Sequence, residues 1–334
     1  MSTKVAINGF GRIGRLLARH LKARDGFDLV AINDLTSPDT LGYLFAHDSV
    51  HGRYNGTVEV DGSDLIIDGD RMRVLAERDP AQLPWKDLGV DYVYEATGFF
   101  RTREAASAHL AAGAKKVVIT APGKDIDATF VMGVNNDLYD PAKHQIVSNA
   151  SCTTNCLAPV AKVLNETVGI EHGWLTTTHA YTNNQKVLDV QHSDLRRGRA
   201  AAINIIPAST GAAKAIGLVY PELAGKLHGA AMRVPVPDGS VCDLTFVSKR
   251  SSNVEELQQA FKTAADGPLA GILRATDVPI VSTDIIGERC SSVVDLPLIA
   301  QVADNFFRVV SWYDNENAYS LRCVDLVEYM ESRA

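Results

Sequence analysis

Residues 9–14, Gly-Phe-Gly-Arg-Ile-Gly, follow directly on the apolar run Val5–Ile7 and open a stretch, Arg12–Ala23, with apolar positions at helical spacing. A G-x-G-x-x-G run at a strand-to-helix turn lets a pyrophosphate approach the backbone closely and delivers that anion to a helix N-terminus. Alone, the pattern also occurs where glycines merely let a turn pack. Its context decides here. A second apolar run, Leu29–Ile32, ends at Asn33-Asp34, twenty residues beyond Gly14. A carboxylate at that place accepts hydrogen bonds from an adenosine ribose and repels a 2′-phosphate. Gly9, Phe10, Gly11, Arg12, Ile13 and Gly14, with Asp34, are therefore expected to hold a dinucleotide, and NAD in preference to NADP.

The runs Val5–Ile7, Leu29–Ile32, Tyr92–Tyr94, Val117–Ile119 and Ile146–Val147 do not alternate polar with apolar residues. Such runs suit parallel strands covered on both faces. With helical stretches at Arg12–Ala23 and Arg103–Ala112 between them, they predict a doubly wound α/β domain. Thr57–Leu75 differs, because Asp61-Gly62 and Asp68-Gly69 punctuate it as hairpin turns do. After Asn149 the texture changes. A long helical stretch, Cys152–Val168, leads to Trp174–His179, and then Ala230–Val234, Cys242–Ser248 and Phe306–Trp312 alternate as antiparallel strands do. Asn253 with Glu256 reads as a capping box, and Leu321, Val324, Val327 and Met330 stripe a last helix. The expected fold is α/β: a Rossmann-type doubly wound parallel-sheet domain plus an α+β catalytic domain with a mostly antiparallel sheet. The expected boundaries are 1–150 for the first domain and 151–315 for the second. Residues 316–334 are expected to form a C-terminal helix packing back on the first.

A length of 334 residues suits two such cores. The net charge of −7 argues against a partner that is nucleic acid or anionic membrane, so any anionic substrate must meet a local cationic site. Five cysteines without framework spacing make no disulfide scaffold, and no stretch reaches the ~18 apolar residues of a membrane span. MSTKVAINGF lacks the apolar core of a signal peptide. A reducing cytoplasm is the expected compartment.

Cys152 stands where the run Ile146–Ser148 gives way to a helix. A thiol in a helix's first turn feels the positive end of the dipole, which eases loss of its proton, so a nucleophile is expected there. Cys156, one turn deeper, reads as a buried small residue. C-x-x-x-C without a second Cys/His pair offers no zinc site, and no metal is expected. His179 closes the strand-like Trp174–Thr178 and is a candidate base for the thiol, the other reading being a core histidine. Arg196-Arg197 and Arg233 either pair with solvent and backbone or grip phosphate, for which the guanidinium fork is matched. Thr210-Gly211, ahead of a helix starting near Ala212, offers a hydroxyl and backbone N–H groups to an anion.

Taken together, INGFGRIGR, INDL, TAPGKD, SNASCTTNCLAP, HAYTN, DLRRGRAAA, IIPASTGAAKA, MRVPVP and VVSWYDNE resemble the phosphorylating glyceraldehyde-3-phosphate dehydrogenases of glycolysis over essentially the whole chain. The resemblance implies that Cys152 is the nucleophile and His179 the base that activates it and assists hydride transfer. It implies that Ser151, Thr153, Thr210 and Gly211 bind the attacking inorganic phosphate, and that Thr182, Arg197 and Arg233 contact the substrate's phosphate. Arg12, Ile13, Asp34, Arg78, Thr120 and Asn315 match contacts to the cofactor NAD. It further implies a homotetramer. The chain departs from the common pattern at Val190-Gln191, often Leu-Pro in a loop abutting a neighbouring subunit's cofactor, and at Ala318, where glycine is more usual. Two other readings are an erythrose-4-phosphate dehydrogenase and a nucleotide-sensing binding protein on the same cofactor fold. The latter would not need Cys152, His179 and two anion sites together.

Overall fold

A computed structural model describes residues 2–334, which divide into two compact units. The first comprises the described residues up to Phe130, with Asn136–Ala150 and Ser320–Ala334; the second comprises Val131–Asn135 and Ser151–Tyr319.

In the first unit β1 (Thr3–Asn8), α1 (Arg12–Lys22), β2 (Phe27–Asn33) and α2 (Pro38–Ala46) follow in chain order. Two-residue strands β3 (His47–Asp48) and β4 (Gly52–Arg53) pair with each other. Next come β5 (Val58–Asp61), β6 (Asp64–Ile67), β7 (Asp70–Leu75), the short α3 (Trp85–Leu88), β8 (Tyr92–Glu95), α4 (Arg103–Ala111), β9 (Lys116–Ile119), β10 (Ala128–Thr129) and β11 (Ile146–Ser148). The sheet order is β10-β11-β9-β8-β1-β2-β7-β6-β5. It is parallel from β10 to β7, with antiparallel β5 and β6 as a hairpin insertion on one edge. Val5, Ile7, Ile32, Val93, Val118 and Val147 are all fully buried, as unalternating strands covered on both faces require. Asp68 and Gly69 both take positive φ, 50° and 82°, the pairing a two-residue type I′ hairpin turn needs.

The second unit is built around α5 (Cys152–Thr167), most of whose residues are buried. Its elements continue with β12 (Ile170–Ala180), β13 (Ile206–Ser209), α6 (Ala212–Val219), β14 (Leu227–Val234), β15 (Ser240–Ser248), α7 (Val254–Asp266), β16 (Leu273–Thr276), β17 (Ser292–Asp295), β18 (Ala300–Ala303) and β19 (Phe306–Tyr313). The sheet runs β13-β14-β12-β15-β19-β17-β16, with β18 also on β19. Most pairs are antiparallel; β12–β14 and β16–β17 are parallel. The parallel β12–β14 pair was not visible as alternation, yet it is what sets His179 opposite Arg233. Along β15 buried and half-buried residues alternate without a break, the period-2 signature of a sheet with one face on the core.

The capping box at α7 is half formed. Asn253 Oδ1 accepts from Glu256 N–H at 2.8 Å, but the Glu256 carboxylate turns to Arg250 and Ser252 instead of returning to the cap backbone. A charged and a hydroxyl partner outcompete one amide. The last helix, α8 (Asn317–Glu331), carries its stripe as expected, with Leu321, Val324, Val327 and Met330 buried. Ala318, in place of the family's glycine, lies within this helix at negative φ, where a methyl group meets no backbone penalty. No described helix is long and apolar enough to cross a membrane.

Candidate active site and dinucleotide cleft

The glycine turn behaves as its sequence requires. Gly9 has φ 96°, and a Cβ there would stand 2.7 Å from the Thr97 backbone nitrogen. A Cβ on Gly14 would meet the Gly9 carbonyl oxygen at 2.1 Å, so α1 packs hard against the turn. Gly11 is different: nothing lies within 4 Å of where its side chain would be. It caps α1 with no side-chain oxygen, which leaves the first-turn N–H groups without the usual hydroxyl or carboxylate cap. A cleft of about 500 Å³ opens over this turn, lined by residues that include Asn8, Gly9, Gly11, Asn33, Asp34 and Arg78. Asp34 is braced at its rim, Oδ2 accepting from Phe10 N–H at 2.8 Å and Oδ1 from Thr36 N–H at 3.2 Å. An uncapped helix start, an open glycine and an anchored carboxylate fit a dinucleotide's pyrophosphate and ribose. Thr120 is buried with its hydroxyl donating to the Glu95 carbonyl at 3.1 Å, and Arg12 pairs with Asp48 at 3.2 Å. The cleft also takes in Glu77, Thr97, Phe99 and Phe100, which sequence reasoning did not single out.

In the second unit the chain enters α5 at Ser151, whose Oγ accepts from Thr154 N–H at 3.1 Å and so caps the helix. Cys152 is thereby its first helical residue. Its Sγ lies 3.5 Å from His179 Nε2, and His179, at the end of β12, is buried. The imidazole is held on its other side: Nδ1 lies 2.7 Å from the Ala180 carbonyl and 2.7 Å from Arg233 Nη1, which also donates to that carbonyl at 2.9 Å. A ring proton on Nδ1 serves the carbonyl and leaves a lone pair on Nε2 for the thiol. A lone pair on Nδ1 accepts from Arg233 and leaves a proton on Nε2 facing the sulfur. The two neutral tautomers are respectively a base and an acid toward whatever sits at Cys152.

Electrostatics set the resting state of the pair. Burial pushes the Cys152 thiol up to about 11, with the Arg233 charge and donors from Thr153 pulling against it. Burial, and then the charge of Arg233, hold His179 down to about 3. At the start of α5, then, burial opposes what the helix dipole and the Arg233 charge favour at the sulfur.

Thr153 is also tied to the core, its hydroxyl 2.7 Å from Tyr313 OH, which Thr177 approaches at 2.9 Å. The other anion candidates form two groups. Arg197 donates to the Ser209 carbonyl at 3.2 Å, which seats it beside the Thr210-Gly211 turn at the start of α6; Thr210 Oγ1 accepts from Ala212 N–H at 3.2 Å. Arg233 instead sits on His179. Burial, and to a lesser extent the charge of Arg197, lower Arg233, and Arg233 Nε is buried without a hydrogen-bond partner. Thr182 binds Gln185 Oε1 through both its N–H and its hydroxyl. Asn315 is buried, its Oδ1 accepting from Ser240 Oγ at 2.6 Å and its N–H donating to Asp238.

A dinucleotide cleft in one unit and a thiol–imidazole pair in the other are the parts of a cofactor-dependent dehydrogenase that works through a cysteine. Two family models match: the glyceraldehyde 3-phosphate dehydrogenase NAD binding domain over residues 3–103 and the C-terminal domain of the same enzyme over residues 151–315. Similar curated proteins include the glyceraldehyde-3-phosphate dehydrogenase of Geobacillus stearothermophilus, 54% identical over 333 residues, and that of Priestia megaterium, 53% identical over 333 residues. In both cases the match covers 100% of this chain and 99% of the relative. Glyceraldehyde-3-phosphate dehydrogenase A of Escherichia coli is 53% identical over 331 residues, covering 99% of each. The chain belongs to the glyceraldehyde-3-phosphate dehydrogenase family.

Proposed function

We propose that this protein oxidises D-glyceraldehyde 3-phosphate with NAD and inorganic phosphate to 1,3-bisphosphoglycerate, by covalent catalysis at Cys152. The observation that carries the reading is the 3.5 Å approach of Cys152 Sγ to His179 Nε2 at the start of α5. In the tautomer that donates from Nδ1 to Ala180, His179 takes the thiol proton as sulfur attacks the aldehyde and hands it to the former carbonyl oxygen, which leaves a hemithioacetal on Cys152 and a neutral imidazole. Its hydroxyl proton then passes to His179 as the carbon gives up hydride. NAD, when bound, supplies the acceptor for that hydride; the glycine turn, Asp34, Arg78 and Asn315 are the residues proposed to hold it. The thioester left on Cys152 keeps the oxidation energy until phosphate attacks. Arg233 and Thr182 are assigned to the substrate's phosphate, Ser151, Thr153, Thr210 and Gly211 to the attacking one, and Arg197 to either. The relatives named above all carry the glyceraldehyde-3-phosphate name, so the erythrose-4-phosphate reading is not favoured. Steady-state NADH formation should require glyceraldehyde 3-phosphate and rise saturably with phosphate; oxidation with no phosphate dependence would refute the phosphorylating reaction.

Asp34 is proposed to set coenzyme choice. Repulsion between its carboxylate and a 2′-phosphate should favour NAD over NADP by about ten-fold or more. Asp34→Gly should narrow that ratio, chiefly through weaker NAD binding. Equal use of both coenzymes by the unaltered enzyme would move selectivity to the loop at Val190-Gln191.

A homotetramer is proposed on two grounds. The family resemblance implies it, and Val187, Leu188, Leu195 and Ile203 expose 75–86% of their surface on one long loop, an unusual apolar cost for an isolated chain.

A further inference from the structure

The floor of the dinucleotide cleft hides a carboxylate that none of the chemistry above uses. Glu95 ends β8 and is 1% exposed, within a strand otherwise made of Tyr92, Val93 and Tyr94. Oε2 accepts from Asn8 Nδ2 at 2.6 Å and from His109 Nε2 at 3.0 Å; Oε1 accepts from Thr97 N–H at 2.9 Å and from the Thr97 hydroxyl.

The proton on each donor can be fixed by following the bonds outward. The indole of Trp85 can only donate, and its Nε1 lies 3.0 Å from His109 Nδ1. Nδ1 must therefore be the lone-pair nitrogen, so His109 is the neutral tautomer with its proton on Nε2, aimed at Glu95. The Glu77 backbone N–H donates to Asn33 Oδ1 at 2.8 Å, which forces Asn33 Nδ2 toward Asn8 Oδ1, at 2.7 Å. That in turn forces Asn8 Nδ2 toward Glu95. The Thr97 hydroxyl accepts from Phe99 N–H at 3.1 Å and lies against Glu95 Oε1. Three of the four contacts, from Asn8, His109 and the Thr97 N–H, are fixed neutral donors, and no cationic side chain joins them.

Asn8, Asn33, Glu77, Thr97 and Phe99 all line the cleft, and Thr97 is the residue whose backbone touches Gly9. We propose that Glu95 is a positioning residue of the dinucleotide site: its buried carboxyl group, oriented by His109 and Trp85, clamps Thr97 and Asn8 into the cleft shape that the cofactor requires. The inference rests on this cleft being the NAD site.

Glu95→Gln tests it, because an amide can satisfy the two donors on one side only and presents an N–H to the other two. The full-length protein should fold, and its dissociation constant for NAD, read by fluorescence quenching, should rise about ten-fold or more, the effect of an unmet buried donor. Turnover at saturating NAD should stay within about two-fold if the role is positioning alone. A second pair of variants covers the case in which Glu95→Gln does not fold. The amide of His109→Gln can accept from Trp85 and donate to Glu95, so NAD affinity should stay within about two-fold of the parent. His109→Leu leaves Trp85 and Glu95 each short of a partner and should weaken NAD binding about ten-fold. Unchanged NAD affinity in folded Glu95→Gln, a loss in turnover with affinity intact, or equal behaviour of the two His109 variants would each overturn the proposal. Asp34→Gly is the control for the site itself. If it weakens NAD binding and Glu95→Gln does not, only this inference falls. If neither does, the cleft is not the dinucleotide site.

Discussion

Replacing Cys152 with alanine should lower NADH formation from glyceraldehyde 3-phosphate by about 10⁴-fold or more, since no covalent intermediate can form without the sulfur. Cys156→Ser should leave the covalent step in place, because Cys156 faces Ser292 and Ser311 inside the second unit. The pH dependence of alkylation distinguishes a neutral pair from a preformed ion pair. Burial holds the thiol proton to about 11 while His179 lies near 3, so thiolate is scarce at neutrality and grows as pH rises. Inactivation of the free enzyme by iodoacetamide should therefore accelerate above neutral pH, and stop at about one label per chain when activity is gone. A rate flat from acid to alkaline pH would mean a resting thiolate–imidazolium pair, and the electrostatic reading would be wrong.

Arg233→Ala carries the second large effect. The guanidinium approaches His179 Nδ1 at 2.7 Å and is proposed to bind the substrate's phosphate, so its removal acts twice. Losing a charge-assisted phosphate contact should cost roughly 2–4 kcal/mol of transition-state binding, about 30- to 1000-fold in kcat/KM. Unphosphorylated glyceraldehyde never makes that contact and should suffer far less. The second consequence concerns His179. Arg233 is, after burial, the main force lowering its imidazole, so without that cation the ring takes up protons at higher pH. The acid limb of the pH–rate profile should move upward in Arg233→Ala and stay in place when Arg197 is changed instead. Equal losses on both aldehydes with an unmoved acid limb would remove Arg233 from the site.

Much of this is legible in the sequence. The parallel sheet followed from strands that do not alternate, because strands covered on both faces have no polar side to show. The glycine turn and Cys152 were legible because the backbone there demands particular residues: no side chain where a Cβ would strike Thr97, and a serine cap one residue before the thiol. The cofactor contacts proposed for Arg78, Thr120 and Asn315 rest on resemblance, since nothing local to those residues announces a ligand. What sequence did not yield depends on pairings between distant segments. His179 meets Arg233 only because β12 and β14 run parallel in that register. Glu95, His109 and Trp85 lie on three elements, and only their burial together turns three ordinary residues into a network. One signal was there to be read: a lone acid closing the otherwise apolar Tyr-Val-Tyr-Glu strand, where an unpaired charge would be prohibitive. The burial that opposes ionisation of Cys152 was hidden for the complementary reason. Helix-start position is written in the sequence, whereas desolvation is a property of the packed site.

On the proposed mechanism, oxidation occurs on Cys152 and is completed before phosphate attacks. Mixing enzyme, NAD and glyceraldehyde 3-phosphate in a stopped-flow instrument without phosphate isolates that event. A burst of about one NADH per chain should appear, then near-arrest until phosphate is added, because the thioester has no acceptor. Thr210→Ala should keep the burst while weakening the response to phosphate, and Cys152→Ala should show no burst at all. Linear NADH formation without phosphate, or a full burst from Cys152→Ala, would contradict it.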